Sequence, residues 1–200
     1  MENTYVVADD DGQCAIIDPG CYEEAEARQL FDFIGENGYR PCRLLNTHCH
    51  LDHIFGNQAV QDQYQLQLEA HAREQDNLKN ARAYGMMFGV PNVHSPMPDR
   101  WIEEGETIAV GALSFKVLFA PGHSPGHVCF WNKAENYIIG GDVLFRQGIG
   151  RTDLPGGHHQ QLLDSIHNVL FELPDTCVVY NGHGPTTTIG SEKRYNPFLA

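Results

Sequence analysis

The chain is poor in basic residues. It holds 13 lysines and arginines against 26 aspartates and glutamates, and its formal net charge is −13 at neutral pH. A surface of this sign repels a polyanion at long range, and no run of lysine or arginine offers a local footprint for one. The sequence therefore predicts no nucleic-acid partner and disfavours a nuclease.

The chain also lacks long apolar runs. No stretch approaches the roughly 18 to 20 apolar residues that are needed to cross a bilayer. The polar start, residues 1–4, does not show the basic and then apolar pattern of a signal peptide. The six cysteines are irregularly spaced and form no Cys-x-x-Cys pair, which favours reduced thiols. We therefore expect a cytoplasmic protein without a membrane partner or a disulfide framework.

The overall composition of the chain is typical of a globular enzyme. Of the 200 residues, 42% are hydrophobic and 10% aromatic, and no repeat, linker or low-complexity tract interrupts them. Residues 1–200 are therefore predicted to form a single domain. Strand-like runs are expected at 5–8, 14–17, 42–46, 107–110, 114–120, 128–132, 137–139 and 177–180. They form two strand-rich halves, each with helices, which predicts an α/β fold of two packed sheets covered outside by helices.

Turn and periodicity signals set the main boundaries. Asp11-Gly12 between two apolar runs predicts a hairpin. Amphipathic spacing predicts helices at about 22–37 and 158–173, the first of them ending at Gly38. The segment 86–98, which contains methionine, phenylalanine and proline, is either a loop covering the core or a wall of a substrate cleft.

The strongest chemical signal is the run 47–53, Thr-His-Cys-His-Leu-Asp-His. It contains four potential metal ligands: His48, His50, Asp52 and His53. In extended backbone, side chains two positions apart point to the same side, so His48 and His50 can converge on one ion. The residues after this run look helical, so the chain must turn, and a turn can direct Asp52 and His53 to a second point nearby. Cys49 should face away and be buried.

Three further candidate ligands stand beside glycine, which permits the close backbone approach that aims a side chain at a buried ion. They are His123 after Gly122, Asp142 after Gly141, and His183 between Gly182 and Gly184. Imidazole and carboxylate both suit first-row divalent metals. Each candidate is weak alone, but together with the run 47–53 they complete two ligand sets.

The ordered motifs resemble the metallo-β-lactamase fold superfamily over nearly the whole chain. The matching elements are Asp18-Pro19-Gly20, the His-x-His-x-Asp-His run, Gly122-His123, Asp142 and Gly182-His183-Gly184. The resemblance implies an αββα sandwich of two mixed sheets flanked by helices. It also implies a ligand assignment: His48, His50 and His123 on a first metal, Asp52, His53 and His183 on a second, and Asp142 bridging both.

Within that superfamily the chain is most similar to the short bacterial form of glyoxalase II-like (hydroxyacylglutathione hydrolase-like) thioesterases. The similar stretches are 2–6 (ENTYV), 121–127 (PGHSPGH), 148–157 (GIGRTDLPGG) and 182–190 (GHGPTTTIG). Full-length glyoxalase II enzymes have an additional C-terminal helical region whose basic residues help to hold glutathione, whereas this chain stops at Ala200. Relatives usually have one more strand in front of the first of these stretches. Glutathione specificity and a truncated N-terminus are thus both left open.

The resemblance implies hydrolysis of a small anionic thioester, such as an S-acyl-glutathione. Two divalent ions, zinc first and iron or manganese as alternatives, would lie about 3.5–4 Å apart and share a water whose pKa they lower. The resulting metal-bridging hydroxide would attack the carbonyl, with Asp52 and Asp142 as the catalytic carboxylates. No oligomeric state is implied.

The sequence also suggests roles for two residues that are not predicted metal ligands. Arg151, nine residues after Asp142 on a glycine-containing loop, is expected to bind an anionic substrate; a pair with Asp153 that only holds the loop is the alternative. His127 is expected to stand behind the ligands and support them.

A different reaction class stays open on the same scaffold. A persulfide dioxygenase would bind one iron through His48, His123 and Asp142. A non-catalytic metal-binding protein is a third interpretation, which complete ligand sets argue against. A secreted β-lactamase is disfavoured by the absence of a signal peptide.

Overall fold

A computed structural model describes residues 2–199 of the chain. The described residues form two compact units. The N-terminal unit comprises Glu2–Ile102 and Ala109–Leu113, and the C-terminal unit comprises Glu103–Ile108 and the residues from Ser114 onward. In the same range, no helix is long and apolar enough to span a membrane.

The N-terminal unit is built on a five-stranded sheet in the order β1-β2-β3-β4-β5. Its strands are β1 (Tyr5–Ala8), β2 (Gln13–Ile17), β3 (Arg40–Leu45), β4 (Leu68–His71) and β5 (Arg100–Ile102). The first pair is antiparallel and the other pairs are parallel, so the sheet is mixed. Ile16, Leu44 and Leu68 lie in register on neighbouring strands and are fully buried, which places the core of this unit against β2–β4.

The helices of the N-terminal unit follow its strands. They are α1 (Glu24–Glu36), α2 (Leu51–Ile54), α3 (Asn57–Tyr64) and α4 (Gln75–Met87), with a 3₁₀ turn at Ala72–Glu74 before α4. At the start of α1 the carboxylate of Glu26 accepts the backbone N–H of Glu23, and after its end Gly38 takes a φ of 67°. The hairpin predicted at Asp11-Gly12 and the helix predicted at 22–37 are therefore confirmed.

The C-terminal unit is built mainly on a six-stranded sheet in the order β13-β12-β9-β8-β7-β6, which is also mixed. Ala109, Val110 and Leu113 of this sheet belong to the segment that is grouped with the N-terminal unit. The strands are β6 (Thr107–Val110), β7 (Leu113–Phe119), β8 (Val128–Asn132), β9 (Tyr137–Gly141), β12 (Val178–Asn181) and β13 (Thr187–Thr188), and a separate hairpin joins β10 (Leu144–Phe145) and β11 (Gly148–Ile149). Helices α5 (His159–Asn168) and α6 (Ile189–Tyr195) complete the unit. Leu162 and Ile166 of α5 share a buried core with Ile138 and Val179.

The helix predicted at 158–173 is shorter than expected. It ends at Asn168, Val169 leaves helical geometry with φ −120° and ψ −60°, and a 3₁₀ turn covers Leu170–Glu172. Pro174 follows, and because the residue before a proline is disfavoured in the α region, Leu173 is extended and cannot belong to the helix. No two of the six cysteines form a disulfide, as predicted.

Candidate metal centre

Four predicted ligands meet at the carboxyl end of β3. We call His48, His50, Asp52 and His53 the N-terminal ligand group. After β3 the chain runs without regular structure to His50, whose extended φ of −69° and ψ of 156° make it the N-cap of α2. The predicted turn is therefore present. A potential ligand atom of His48 lies within 4.8 Å of one of His50. A potential ligand atom of Asp52 likewise lies within 4.8 Å of one of His53.

A buried aspartate organises this group. Asp18, at the end of β2, has an unusual positive φ of 50° and is almost completely buried. Its Oδ1 accepts the backbone N–H of Thr47 at 2.7 Å, and its Oδ2 accepts the Thr47 hydroxyl at 2.6 Å. A non-glycine residue in this conformation is strained, and such strain persists where the surroundings determine it. Asp18 therefore ties the ligand-bearing loop to the neighbouring strand.

The same hydrogen bonds fix which ring nitrogen of two histidines carries the proton. His53 Nδ1 lies 3.1 Å from Asp18 Oδ2, and a carboxylate oxygen can only accept there. His48 Nδ1 lies 3.1 Å from the Thr47 hydroxyl oxygen, whose hydrogen is already directed to Asp18. Both Nδ1 atoms are therefore donors. In neutral imidazole this leaves the lone pair on Nε2, one of the two ring nitrogens through which a neutral histidine can bind a metal.

Three predicted ligands meet in the C-terminal unit. We call His123, Asp142 and His183 the C-terminal ligand group. Asp142 follows β9 and His183 follows β12, and these strands are parallel neighbours whose ends are paired at Gly141 and Asn181. Parallel strands end at the same edge of a sheet, which is why these residues meet. Asp142 Oδ2 lies 3.6 Å from His123 Nε2 and 3.4 Å from His183 Nε2.

His123 and His127 both carry the ring proton on Nδ1, but they use the Nε2 lone pair differently. His123 Nδ1 lies 2.7 Å from the carbonyl oxygen of Arg151, so it donates and leaves Nε2 with a lone pair. His127 Nε2 instead accepts the backbone N–H of Asp142 at 3.0 Å. Its Nε2 lone pair is thus engaged by the protein. Gly150 allows this packing, because a Cβ there would overlap the carbonyl oxygen of Asp142.

The Arg151 side chain is paired. Its Nε and a terminal nitrogen donate to the two carboxylate oxygens of Asp153, both at 2.7 Å. The hydrogen bonds from Arg151 are the main cause that lowers the pKa of Asp153 to about 2. This is the loop-holding pair that the sequence offers as the alternative to substrate binding, although the arginine side chain keeps 60% of its surface exposed.

A cysteine and two histidines outside the ligand groups are buried or cap helical turns. Cys49 is buried, as predicted, and burial raises the pKa of its thiol well above the usual range. His71 ends β4 and accepts the backbone N–H of Arg73, which caps the following 3₁₀ turn. His158 likewise caps α5 by accepting the N–H of Gln161. In the segment 86–98, Met86, Met87 and Phe88 are exposed.

The donor chemistry of both groups fits divalent metal ions. Among the predicted ligands, His48, His53 and His123 carry the ring proton on Nδ1, which places the lone pair of the neutral ring on Nε2. Asp142 supplies a carboxylate oxygen within 4 Å of two imidazoles. Neutral imidazole with carboxylate suits zinc, iron and manganese alike.

Comparison with known proteins agrees with this chemistry. A sequence model of the metallo-beta-lactamase superfamily matches residues 1–183. The chain is 40% identical to the probable metallo-hydrolase YqgX of Bacillus subtilis, over 98% of this chain and 92% of the relative. It is 38% identical to the hydroxyacylglutathione hydrolase GloC of Haemophilus influenzae, over 100% of this chain and 93% of the relative.

Solved structures give the same fold. BLEG-1, a B3 metallo-beta-lactamase, superposes with a TM-score of 0.90 at 38% identity, covering 99% of this chain and 94% of that one. TTHA1623 in a di-iron-bound form superposes with a TM-score of 0.89 at 37% identity, covering 99% and 95%. ETHE1 from Myxococcus xanthus reaches 0.79 at 28% identity, covering 97% and 77%. The metallo-β-lactamase fold and the resemblance to its short glyoxalase II-like subgroup are therefore confirmed.

Proposed function

The chain belongs to the metallo-beta-lactamase superfamily, and on that premise we propose that it is a dinuclear, glyoxalase II-like thioesterase. The substrate we propose is a small anionic thioester of the S-acyl-glutathione type. The proposal includes zinc as the first choice of metal and the cytoplasm as the location.

The observation that carries the proposal is the proton arrangement on three histidines. His48, His53 and His123 each donate from Nδ1 to a group of the protein, which places the lone pair of the neutral ring on Nε2. Metal-binding histidines almost always donate their second ring N–H to a neighbouring oxygen of the protein, which fixes the tautomer and the orientation of the ring.

The family's ligand assignment joins the two groups. In our proposal His48, His50 and His123 hold one ion, Asp52, His53 and His183 hold the other, and Asp142 bridges them. Within the C-terminal unit, Asp142 Oδ2 already lies close to one histidine of each set. This position of the carboxylate supports a bridging role.

Two bound ions would supply a water activated at neutral pH and would polarise the carbonyl oxygen of the substrate. The protein's own residues then have the task of holding the ligands in place. Asp18 fixes the tautomer of His53 and, through Thr47, that of His48. His127 fixes the peptide that precedes the Asp142 side chain, and the exposed Arg151 is proposed to bind a substrate carboxylate.

The choice of a thioester rests on the relatives. GloC is a hydroxyacylglutathione hydrolase and is similar along the whole chain. The second candidate is a persulfide dioxygenase with one iron, held in our assignment by His48, His123 and Asp142. The likeness to ETHE1 favours keeping this candidate.

One experiment separates the two candidates. Protein purified without added metal is analysed for metal content and then assayed for hydrolysis of a hydroxyacyl-glutathione thioester and for oxygen uptake with glutathione persulfide. We expect close to two ions per chain and thioester hydrolysis without oxygen uptake. A stoichiometry of one, iron as the sole metal, and oxygen uptake would replace the hydrolase by the dioxygenase.

A further inference from the structure

A second buried carboxylate contacts the ligand-bearing loop. Glu74 ends the 3₁₀ turn that follows β4 and has no exposed surface. Its Oε2 accepts the backbone N–H of Cys49 at 2.8 Å and the side-chain amide of Asn77, also at 2.8 Å. A buried carboxylate is stable only when it is hydrogen-bonded or paired, so these bonds define where it lies.

The backbone N–H that Glu74 accepts lies between two proposed metal ligands. Cys49 stands between His48 and His50, in the part of the loop that is neither helix nor strand. No sheet ladder or helical bond therefore fixes the direction of this N–H. The direction matters, because the dihedral angles around Cys49 decide whether the two flanking imidazoles point to the same side. Glu74 makes the bond that a neighbouring strand would make in a sheet.

The negative charge of Glu74, like its position, favours the binding of a metal ion. A hydrogen bond from a backbone N–H to an ionised carboxylate is shorter and stronger than one to a neutral acceptor. Behind two imidazoles, a buried anion also favours the arrival of a cation, because little water screens it. Both effects stabilise the arrangement of His48 and His50 that binds an ion.

We propose that Glu74 is a positioning residue that preorganises His48 and His50 and thereby sets the metal affinity of the first site. The proposal rests on the proposed function, since it takes these histidines as ligands. It predicts that loss of the Glu74 carboxylate weakens metal binding by more than it disturbs the fold.

The test uses Glu74→Ala and the milder Glu74→Gln, which keeps an acceptor oxygen without the charge. The matched control is Glu192→Gln: Glu192 is equally buried and its carboxylate accepts the N–H of Gln147 at 2.8 Å. For each protein the dissociation constant of Zn²⁺ is measured by competition with a chromophoric chelator. The melting temperature and the exchange rate of the Cys49 amide are measured on metal-free protein.

We expect Glu74→Ala to weaken Zn²⁺ binding by roughly 10- to 100-fold and to accelerate exchange at Cys49. Glu74→Gln should lie between it and wild type, and Glu192→Gln should lower the melting temperature while leaving Zn²⁺ affinity unchanged. If both Glu74 variants bind Zn²⁺ as wild type does and differ only in melting temperature, Glu74 is merely structural.

The failure of the proposed function gives a different result. Wild type that binds Zn²⁺ but hydrolyses no thioester contradicts the thioesterase, whereas weaker Zn²⁺ binding by the Glu74 variants still supports the positioning role. Wild type that binds no Zn²⁺ at all overturns both.

Discussion

The Nδ1 atom of His123 lies 2.7 Å from the carbonyl oxygen of Arg151. The backbone of Arg151 thus orients a proposed metal ligand, while its side chain donates to Asp153. A substitution of the arginine side chain keeps the carbonyl group and leaves the His123 bond intact. The roles of this loop in metal binding and in substrate binding can therefore be tested separately.

The first prediction concerns Asp142. In Asp142→Ala the carboxylate beside His123 and His183 is lost, and two cations would face each other without a shared anion. We expect loss of at least one ion per chain and a fall in kcat of several orders of magnitude. Elemental analysis and steady-state kinetics measure this, with the exposed Asp164→Ala as the control. A variant with two ions and full activity would show that the ligand assignment is wrong.

The second prediction concerns His127. Its Nε2 accepts the N–H of Asp142, so it should support a ligand without binding metal itself. At saturating metal, His127→Ala should bind as many ions per chain as wild type. Its affinity for the metal should fall by roughly 10- to 100-fold. Chelator competition measures the affinity, and His159→Ala on the exposed side of α5 serves as the control. Loss of one ion even at saturating metal would instead identify His127 as a ligand.

The sequence predicts much of this fold because its strands and helices carry local signals. Val128–Asn132 and Thr107–Val110 are apolar runs bounded by turn residues, and the structure has them with the predicted bounds. Several of the elements that the sequence does not reveal are very short strands: β5, β13 and the β10–β11 hairpin have two or three residues in each strand. A run of that length cannot display a period of two, so its pairing depends on neighbours that are distant in sequence.

In the candidate site, too, only the features with local sequence signals can be predicted. His48 and His50 can be predicted because their spacing is local, but the residues that hold them cannot. Asp18 contacts Thr47, and Glu74 contacts Cys49, across long stretches of chain. An acidic residue at the start of a helix normally suits the helix dipole on the surface, so nothing local distinguishes Glu74 from a solvated one. Its burial is a result of tertiary packing.

The third prediction concerns backbone constraint at Gly122. This residue has a φ of 127°, and a Cβ would overlap the backbone of Leu162 in α5. Gly122→Ala should therefore lower the free energy of unfolding by roughly 2–5 kcal/mol, from strain and overpacking together. Gly35 is the control: it lies inside α1 with open space around it, so Gly35→Ala should raise stability by about 0.5–1 kcal/mol. Urea titration measures both, and equal effects of the two substitutions would contradict the prediction.

The fourth prediction concerns pH. Hydrogen bonds from Arg151 lower the pKa of Asp153 to about 2, from an ordinary 3.8. Because the folded pKa is the lower one, the pair contributes to stability above pH 3.8, and the contribution is lost as the pH falls through about 2. In Arg151→Ala the Asp153 carboxyl should titrate near its ordinary pKa, as NMR of the side-chain carboxyl carbon can follow. An unchanged pKa in the variant would mean that the pair does not form in solution.

The last prediction concerns the Arg151 side chain in catalysis. Its guanidinium can donate two parallel hydrogen bonds to a carboxylate, and it now does so to Asp153. If the carboxylate of an anionic thioester replaces Asp153 as the acceptor, Arg151→Ala should raise KM for that substrate. The value of kcat should change little, because the Arg151 carbonyl still holds His123.

Asp153→Asn is the matched partner variant. It weakens the competing pair and should leave KM for the anionic thioester equal to or lower than that of wild type. A neutral thioester of similar size should respond to neither substitution. The melting temperature should also change little, since the pair is largely exposed and exposed ion pairs contribute little to stability. If Arg151→Ala and Asp153→Asn lower the melting temperature alike, and anionic and neutral thioesters suffer equally, the arginine only holds its loop.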